Sequence, residues 1–248
     1  MSRTITVGLD GSLESRAAAE WAAREAKLRG LPLKLVHVWQ PVPEPLAQAP
    51  LLGAETHQHW TERIPREAAE GLRLRHPGVE VSTQQLSGNP AEALCSALKD
   101  AELLALGSRG MSGIGGFLVG SVGLAVLAHA ERPVVLVRGG EQAADEHEKD
   151  PVGIPSTAAA YRPVVLGLDT GSPDEALIEF AFDAAARRAT PLRVVHGWNP
   201  PTYYAYGVSA DPASGRRVRR SPFGIHIGPV THAVVHHATA PVAVVPHD

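Results

Sequence analysis

The chain has 248 residues, of which 44% are hydrophobic and 20% charged, and this length is enough to bury a core in one or two domains. The formal net charge of −3 shows no excess of basic residues, so we expect neither a nucleic acid nor a membrane surface as a partner. The only cysteine, Cys95, cannot form a disulfide within the chain, and the first ten residues contain no apolar signal core. Both features favour a cytoplasmic location.

The first half of the chain alternates between strand and helix patterns. Strands are predicted at 5–9, 33–39, 79–85, 102–106 and 133–137. The first helix is expected to begin at the N-cap Ser12 and to end at Gly30, and further helices are predicted within 55–76, from Asn89-Pro90 and from Gly120-Ser121. This alternation predicts an α/β fold with an open, parallel, five-stranded sheet.

A glycine-rich segment follows the fourth predicted strand. Gly107-Ser-Arg-Gly110 begins where the apolar run 103–106 ends, and Gly120-Ser121 begins an apolar helical stretch. Glycine lets the backbone approach a ligand closely, and a helix N-terminus offers unpaired N–H groups that suit phosphate. The order of strand, glycine loop and helix start therefore predicts a phosphate-binding site, and the alternative is a glycine-rich turn that binds nothing.

Two familiar phosphate motifs do not fit this segment. A Walker-type loop needs lysine after its last glycine, whereas Gly120 is followed by Ser121. A dinucleotide fingerprint of the form G-x-G-x-x-G would need a glycine at position 118 after Gly113 and Gly115, and an acidic residue at the end of the next strand, and neither is present. The spacing that does fit without a gap is G-x-x-G-x9-G-[S/T].

Polar and apolar candidate ligand groups also follow the predicted strands. Asp10, Val38 and Gly107 all stand at the carboxyl ends of predicted strands, which is where ligands of open parallel sheets bind. A carboxylate beside phosphates suits Mg²⁺ or a ribose hydroxyl. The alternative for Asp10 is an ordinary turn residue before Gly11.

The glycine spacing, together with an aspartate after the first strand and a valine after the second, resembles the universal stress protein family over residues 3–138. The resemblance implies a Rossmann-like sheet of order 3-2-1-4-5, similar to the adenine nucleotide alpha hydrolases, and a site for ATP, or for ADP or AMP. It also implies that Asp10 contacts the ribose and a nucleotide-bound Mg²⁺, and that Val38 packs on adenine. The remaining expected binding residues are Gly8, Leu9, Gly107, Arg109, Gly110, Gly120, Ser121 and Val122.

Within that resemblance, Gly8-Leu9 is a departure. Other members of the family often have Pro-Val or Pro-Thr at this place. The departure concerns the backbone contacts on the adenine side of the expected site.

The chain repeats itself, but the second copy is shorter. Residues 164–169 and 195–198 repeat 5–10 and 36–39 at an offset of 159 positions, whereas 241–245 repeats 133–137 at an offset of 108. The second copy therefore lacks the counterpart of the third and fourth strands. We predict a first domain at 1–140, a linker at 141–160 and a truncated second domain at 161–248, whose first helix has a capping box from Ser172 with Pro173 as its first residue.

The second copy shows no intact nucleotide motif. Val218 and Pro229 stand where the first copy has Gly110 and Ser121, so we expect nucleotide in the first domain only. His232 and His236 have a helical spacing that suits a metal, but no third strong ligand is near, and a solvated helix face is favoured. The basic run 216–220 is interpreted as a solvated loop.

Three functions remain open from the sequence. The favoured one is an ATP-binding regulatory protein of the stress-response type, which is not an enzyme. Slow hydrolysis of ATP stays open, but it would need a catalytic base, and no residue is an evident one. The second is an ATP-hydrolysing enzyme. The third is an interaction or dimerisation module in which nucleotide is incidental. The resemblance further implies pairing through the last strands, within one chain (133–137 against 241–245) or in a homodimer.

Overall fold

A computed structural model describes residues 3–40, 54–110, 117–118, 120–168, 173–196, 234, 238 and 240–246. The helices are α1 Leu13–Arg29, α2 Ala54–Arg75, α3 Pro90–Leu98, α4 Ser121–His129 and α5 Glu175–Arg187. The strands are β1 Thr4–Leu9, β2 Leu33–Trp39, β3 Val81–Ser87, β4 Ala101–Gly110, β5 Phe117–Leu118, β6 Val134–Arg138, β7 Val164–Gly167, β8 Leu192–Val195 and β9 Val242–Val244. No helix in these ranges is long and apolar enough to cross a bilayer.

The main sheet has the order β3-β2-β1-β4-β6-β9. Its first five strands are parallel, and β6 is the fifth strand of the sequence-based prediction, so the predicted α/β fold and the order 3-2-1-4-5 are confirmed. β9 adds an antiparallel strand at the β6 edge, with Val134 opposite Val244 and Leu136 opposite Val242. This edge of β6 therefore carries a strand from the far end of the chain.

Two apolar cores cover the two faces of the sheet. On one face, Ile5, Val7 and Leu35 pack with the alanine-rich side of α1 and with α2. On the other face, Val36, Leu104 and Leu136 pack with α3 and α4. Alternate residues of each central strand are thus buried on opposite faces, which explains why these strands appear as nearly continuous apolar runs in the sequence.

Three helices begin close to the predicted places. The Ser12 hydroxyl caps α1 by accepting a hydrogen bond from the Ser15 amide at 3.1 Å, and Gly30 ends α1 with φ of +64°. Asn89 caps α3, and Pro90 is its first residue. The prediction for α5 was wrong by two residues, because its N-cap is Asp174, whose carboxylate accepts from the Leu177 amide at 2.8 Å. Pro173 therefore precedes the helix.

The segment predicted as a linker is attached to α1. It contains a short 3-10 turn, Ala143–Glu146, and two of its acids bind one arginine of α1. The Arg24 guanidinium donates to both oxygens of Glu141 at 2.8 Å and to Glu146 at 2.7 Å. Both carboxylates are almost fully buried. This segment, whose sequence is polar and has no apolar period, is thus held against α1 by buried ion pairs.

A second ionic cluster joins α5 to α1. Glu25 is 2% exposed, and its carboxylate accepts from Arg29 and from Arg188, each at 2.5 Å. Arg29 also binds Asp183 of α5 at 2.9 Å and lies over the ring of Phe180. Because breaking a buried pair leaves an uncompensated charge, this cluster fixes the position of α5 on α1.

The Glu141 carboxyl should make the stability of the protein depend on pH. Burial, opposed by Arg24, raises the pKa of Glu141 from 4.5 to about 7. Since the folded chain then binds this proton more tightly than the unfolded chain, the stabilisation is complete below pH 4.5 and is lost as the pH rises through 7. We expect the free energy of unfolding of the wild type, relative to Glu141→Gln, to fall by about 2–3 kcal/mol between pH 5 and 8.

Urea unfolding at several pH values measures this difference. Glu148→Gln is the matched control, because Glu148 lies in the same segment but is exposed. A difference between wild type and Glu141→Gln that stays constant from pH 5 to 8 would contradict the prediction.

The β7–β8 pair forms a separate two-stranded sheet with exposed apolar residues. Val165 of β7 is 62% exposed and Val194 of β8 is 56% exposed, whereas their counterparts in the first copy, Thr6 and Leu35, are fully buried. Two-stranded sheets are marginally stable alone, and a poorly covered strand opens more readily. We expect the amides of β7 and β8 to exchange hydrogen at least about tenfold faster than those of β1 and β2.

Hydrogen–deuterium exchange on the intact chain makes this comparison within one sample. The repeat supplies matched pairs of peptides, since each β7 or β8 residue has a counterpart 159 positions earlier. Equal protection of the two pairs would show that the second copy is as stable as the first.

Candidate functional site

Asp10 lies directly after β1 and begins the turn that leads into α1. Its Oδ1 accepts a hydrogen bond from the Ser12 amide at 2.9 Å and from the Ser12 hydroxyl at 2.5 Å. Burial raises the pKa of Asp10, but hydrogen bonds from Ser12 and Ser15 outweigh this effect and hold the pKa below its usual value. Although part of the carboxylate is covered, Asp10 as a residue is exposed to solvent. Its carboxylate is therefore charged at neutral pH and oriented by the start of α1.

The peptide that joins Leu9 to Asp10 is held at both of its polar groups. The Leu9 carbonyl oxygen lies 2.8 Å from His37 Nδ1, and the Asp10 amide donates to the Ser15 hydroxyl at 3.4 Å. His37 and Ser15 are both buried. Neither residue was singled out by sequence reasoning, and both act on the backbone immediately before the candidate carboxylate.

Val38 and Gly8 lie on the other face of the sheet from His37. Val38 is half-buried against the α3–α4 core at the end of β2. A Cβ on Gly8 would come within 2.7 Å of Leu106 Cδ2 and 3.3 Å of Leu94 Cδ2. Packing of the fold alone therefore explains a glycine at position 8.

Gly107 has a different position from the one predicted. The sequence suggested that β4 ends before Gly107, but β4 runs to Gly110, because Gly107 pairs with Val137 and Ser108 with Arg138 of β6. A Cβ on Gly107 would lie 2.5 Å from the Glu14 carbonyl oxygen and 2.6 Å from the Ser15 amide nitrogen. The absence of a side chain thus lets the first turn of α1 pack against β4.

The rest of the glycine motif forms a hairpin followed by a helix start. Arg109 and Gly110 pair antiparallel with Leu118 and Phe117 of β5, and α4 begins at Ser121, close after β5. Gly120 is the N-cap of α4, and no side chain of the described residues caps this helix end. The first amides of α4 are therefore available to an external acceptor, which is the property that suits a phosphate.

Gly120 also has room around it. Its φ is −68°, which any residue can adopt, and an added Cβ would have no atom of the described chain within 4 Å. Ser121 and Val122 are exposed at the same helix end. Neither backbone conformation nor packing within the described residues therefore requires a glycine at position 120.

The sheet order brings these groups to one edge. β1 lies between β2 and β4, so the turn at Asp10, the end of β2 at Val38 and the far end of β4 are neighbours. The β4–β5 hairpin then leads to the start of α4. The positions of the second copy that were predicted to be defective, and its histidines, lie outside the described residues, so those statements stay predictions.

A cleft of about 490 Å³ opens elsewhere, between α1 and α2. It shares Asp10 with the candidate site, but it lies over the α1–α2 core rather than beside Val38. Two of its cations are paired within the cleft, Arg63 with Glu67 and Arg75 with Glu20. Because these two arginines are paired with acids of the same groove, we place the candidate site at the strand ends instead.

An open, mainly parallel sheet with its candidate ligand groups at the strand carboxyl ends defines a doubly wound α/β protein. The sequence model of the universal stress protein family matches residues 1–138 and 160–216, and the chain belongs to this family. The match falls in two segments, one in each copy of the internal repeat.

Curated relatives agree with this assignment. A universal stress protein of Mycolicibacterium smegmatis is 35% identical over 200 residues, which are 78% of this chain and 63% of that protein. One of Mycobacterium tuberculosis is 32% identical over 209 residues, which are 79% of this chain and 64% of that protein. The chain thus spans less than two thirds of the length of these relatives.

The fold of the chain is similar to that of a universal stress protein from Archaeoglobus fulgidus. The alignment covers 83% of this chain and 71% of that one, with a TM-score of 0.59 and 18% identity. At this level of identity the likeness concerns the fold.

Proposed function

We propose that the first domain, residues 1–140, binds an adenine nucleotide at the ends of β1, β2 and β4. The observation that carries the proposal is Gly120, a glycine at an uncapped helix start that no contact with the described chain requires. A glycine that none of the described residues requires is explained if a ligand occupies the space where its side chain would be. The family's glycine spacing at this place supports phosphate as the group that binds there.

In this proposal, Gly110, Gly120, Ser121 and Val122 bind the phosphates through their amides, and Arg109 adds positive charge. Asp10 binds the ribose, or a Mg²⁺ ion that arrives with the nucleotide, because its carboxylate is exposed and charged. Val38 packs on the adenine ring. Gly107 has a packing role in addition, since it admits the first turn of α1.

We further propose that the protein is a regulatory protein of the stress-response type and not an enzyme. The nucleotide, which is ATP or else ADP or AMP, would set the conformation or the choice of partner. The second copy, 161–248, would support the first through the segment 141–160 and the β6–β9 pair, which favours pairing within one chain over a homodimer. A cytoplasmic location fits the single cysteine.

Mass spectrometry of the purified protein under native conditions tests the proposal, with equilibrium dialysis against ATP, ADP and AMP and an assay of phosphate release. Bound nucleotide without turnover supports a regulatory nucleotide-binding protein. Turnover that is lost in Asp10→Asn would make the protein an ATPase instead. Protein that neither retains nor binds any adenine nucleotide would leave the interaction module as its function.

A further inference from the structure

We propose that His37 is a positioning residue for the candidate nucleotide site, because it fixes the Leu9–Asp10 peptide and so orients the Asp10 side chain. This inference rests on the proposed function. His37 does not face the expected ligand, since it lies on the α1–α2 side of the sheet with Leu33 and Leu35, whereas Val38 lies on the opposite side. It acts through the backbone of β1.

The hydrogen bond defines the tautomer of the ring. A carbonyl oxygen can only accept, so Nδ1 of His37 carries the proton and donates to Leu9 at 2.8 Å. His37 is 6% exposed, and its Nε2 has no partner among the described residues. Among the described residues the buried imidazole therefore makes one hydrogen bond, and that bond is made to the residue before Asp10.

The bond lies where the regular ladder between β1 and β2 ends. Leu9 is the last residue of β1 and is opposite His37 in the register. Beyond this pair the chain turns at Asp10, so the Leu9 carbonyl lies at the last position of β1 that the ladder with β2 holds. The imidazole adds a side-chain donor at the Leu9 carbonyl, and the Ser15 hydroxyl accepts from the Asp10 amide of the same peptide, so side chains hold both polar groups of this peptide.

The second copy of the repeat contains the same histidine–carbonyl hydrogen bond. His196 Nδ1 lies 2.9 Å from the Leu168 carbonyl oxygen, at the same offset of 159 positions and at the end of the corresponding strand pair. His196 is exposed, and its copy has lost the glycine pattern in its sequence. It therefore provides a matched control for a histidine that holds a strand end without serving a nucleotide site.

Two substitutions separate the effect of the hydrogen bond on ATP affinity from the effect of the side-chain volume. His37→Asn places an amide donor close to the position of Nδ1, whereas His37→Leu fills the space without a donor. We expect equilibrium dialysis to show ATP affinity about tenfold weaker for His37→Leu, within about threefold of wild type for His37→Asn, and unchanged for His196→Leu.

The pKa of the Asp10 carboxyl is the second quantity to measure. We expect NMR titration to show the pKa of Asp10 below its usual value in wild type and His37→Asn, and raised towards the usual value in His37→Leu. A merely structural role would lower the stability of His37→Leu but leave the ATP affinity of the folded protein and the pKa of Asp10 unchanged, and that result would overturn the proposal. His37→Val, which strands favour, replaces the leucine variant if the latter does not fold.

The two readouts also separate this proposal from the proposed function. If wild-type protein does not bind ATP, ADP or AMP, the proposed function fails. The Asp10 titration then decides whether His37 positions the carboxylate. An Asp10 pKa that is equal in wild type and His37→Leu overturns the positioning role in either case.

Discussion

Replacing Gly120 by valine is expected to weaken binding of ATP at least about 100-fold while leaving the fold intact. The valine side chain would enter the space in front of the first amides of α4, where no described protein atom lies within 4 Å of an added Cβ. A phosphate that approaches these amides would meet the branched Cβ instead. Equilibrium dialysis against labelled ATP measures the loss.

The unfolding free energy is the control for Gly120→Val. Loss of glycine from the N-cap should cost no more than about 1 kcal/mol, so circular dichroism and urea unfolding should stay close to wild type. Gly120→Ala, with a smaller side chain, should show an intermediate loss of affinity. Wild-type affinity in Gly120→Val would contradict the assignment of the phosphate site to this helix end.

Replacing Gly107 by alanine is expected to affect stability instead. The free energy of unfolding should fall by about 3 kcal/mol or more. The added Cβ would overlap the carbonyl group of Glu14 and the amide of Ser15, which are backbone atoms in the first turn of α1. A side chain can rotate away from such a contact, but a helix turn cannot. The strain therefore has to displace α1 from β4.

Urea unfolding followed by the fluorescence of the buried Trp21 in α1 reports this change. The expected order of destabilisation is Gly107→Ala, then Gly8→Ala, then Gly120→Ala, because the added Cβ meets backbone, flexible leucine side chains, or no described atom. Stability of Gly107→Ala equal to that of Gly120→Ala would show that α1 can move aside without cost.

The two glycines illustrate what the sequence could and could not reveal. Both belong to one motif, and spacing alone suggested one role for both. The Gly107 contact is with Glu14, about 90 positions earlier in the chain, and only the tertiary structure brings the two together. The extension of β4 through Gly107 was missed for a related reason, because pairing with β6 and β5 outweighs the low strand propensity of glycine.

The sequence predicted helix boundaries correctly where the residues at the boundary themselves specify it. Ser12 and Gly30 define α1, and Asn89 with Pro90 defines the start of α3. The buried partners of Arg24 and Glu25 could not be predicted, because charged residues on a helix are ordinarily solvated and their partners come from remote segments. His37 was visible only as part of a repeated tetrapeptide until the register placed it beside Leu9.

The position of β9 beside β6 has a consequence for the chain while it is being made. β9 is synthesised about 100 residues after β6, which at roughly 5–20 residues per second takes about 5–20 seconds. The parallel core formed by β1 to β6 can fold within that interval. The valine-rich strand β6 is then an exposed edge of the sheet until β9 pairs with it. During translation, the order of elements along the chain therefore sets a period in which chaperones or neighbouring nascent chains compete with β9 for this edge.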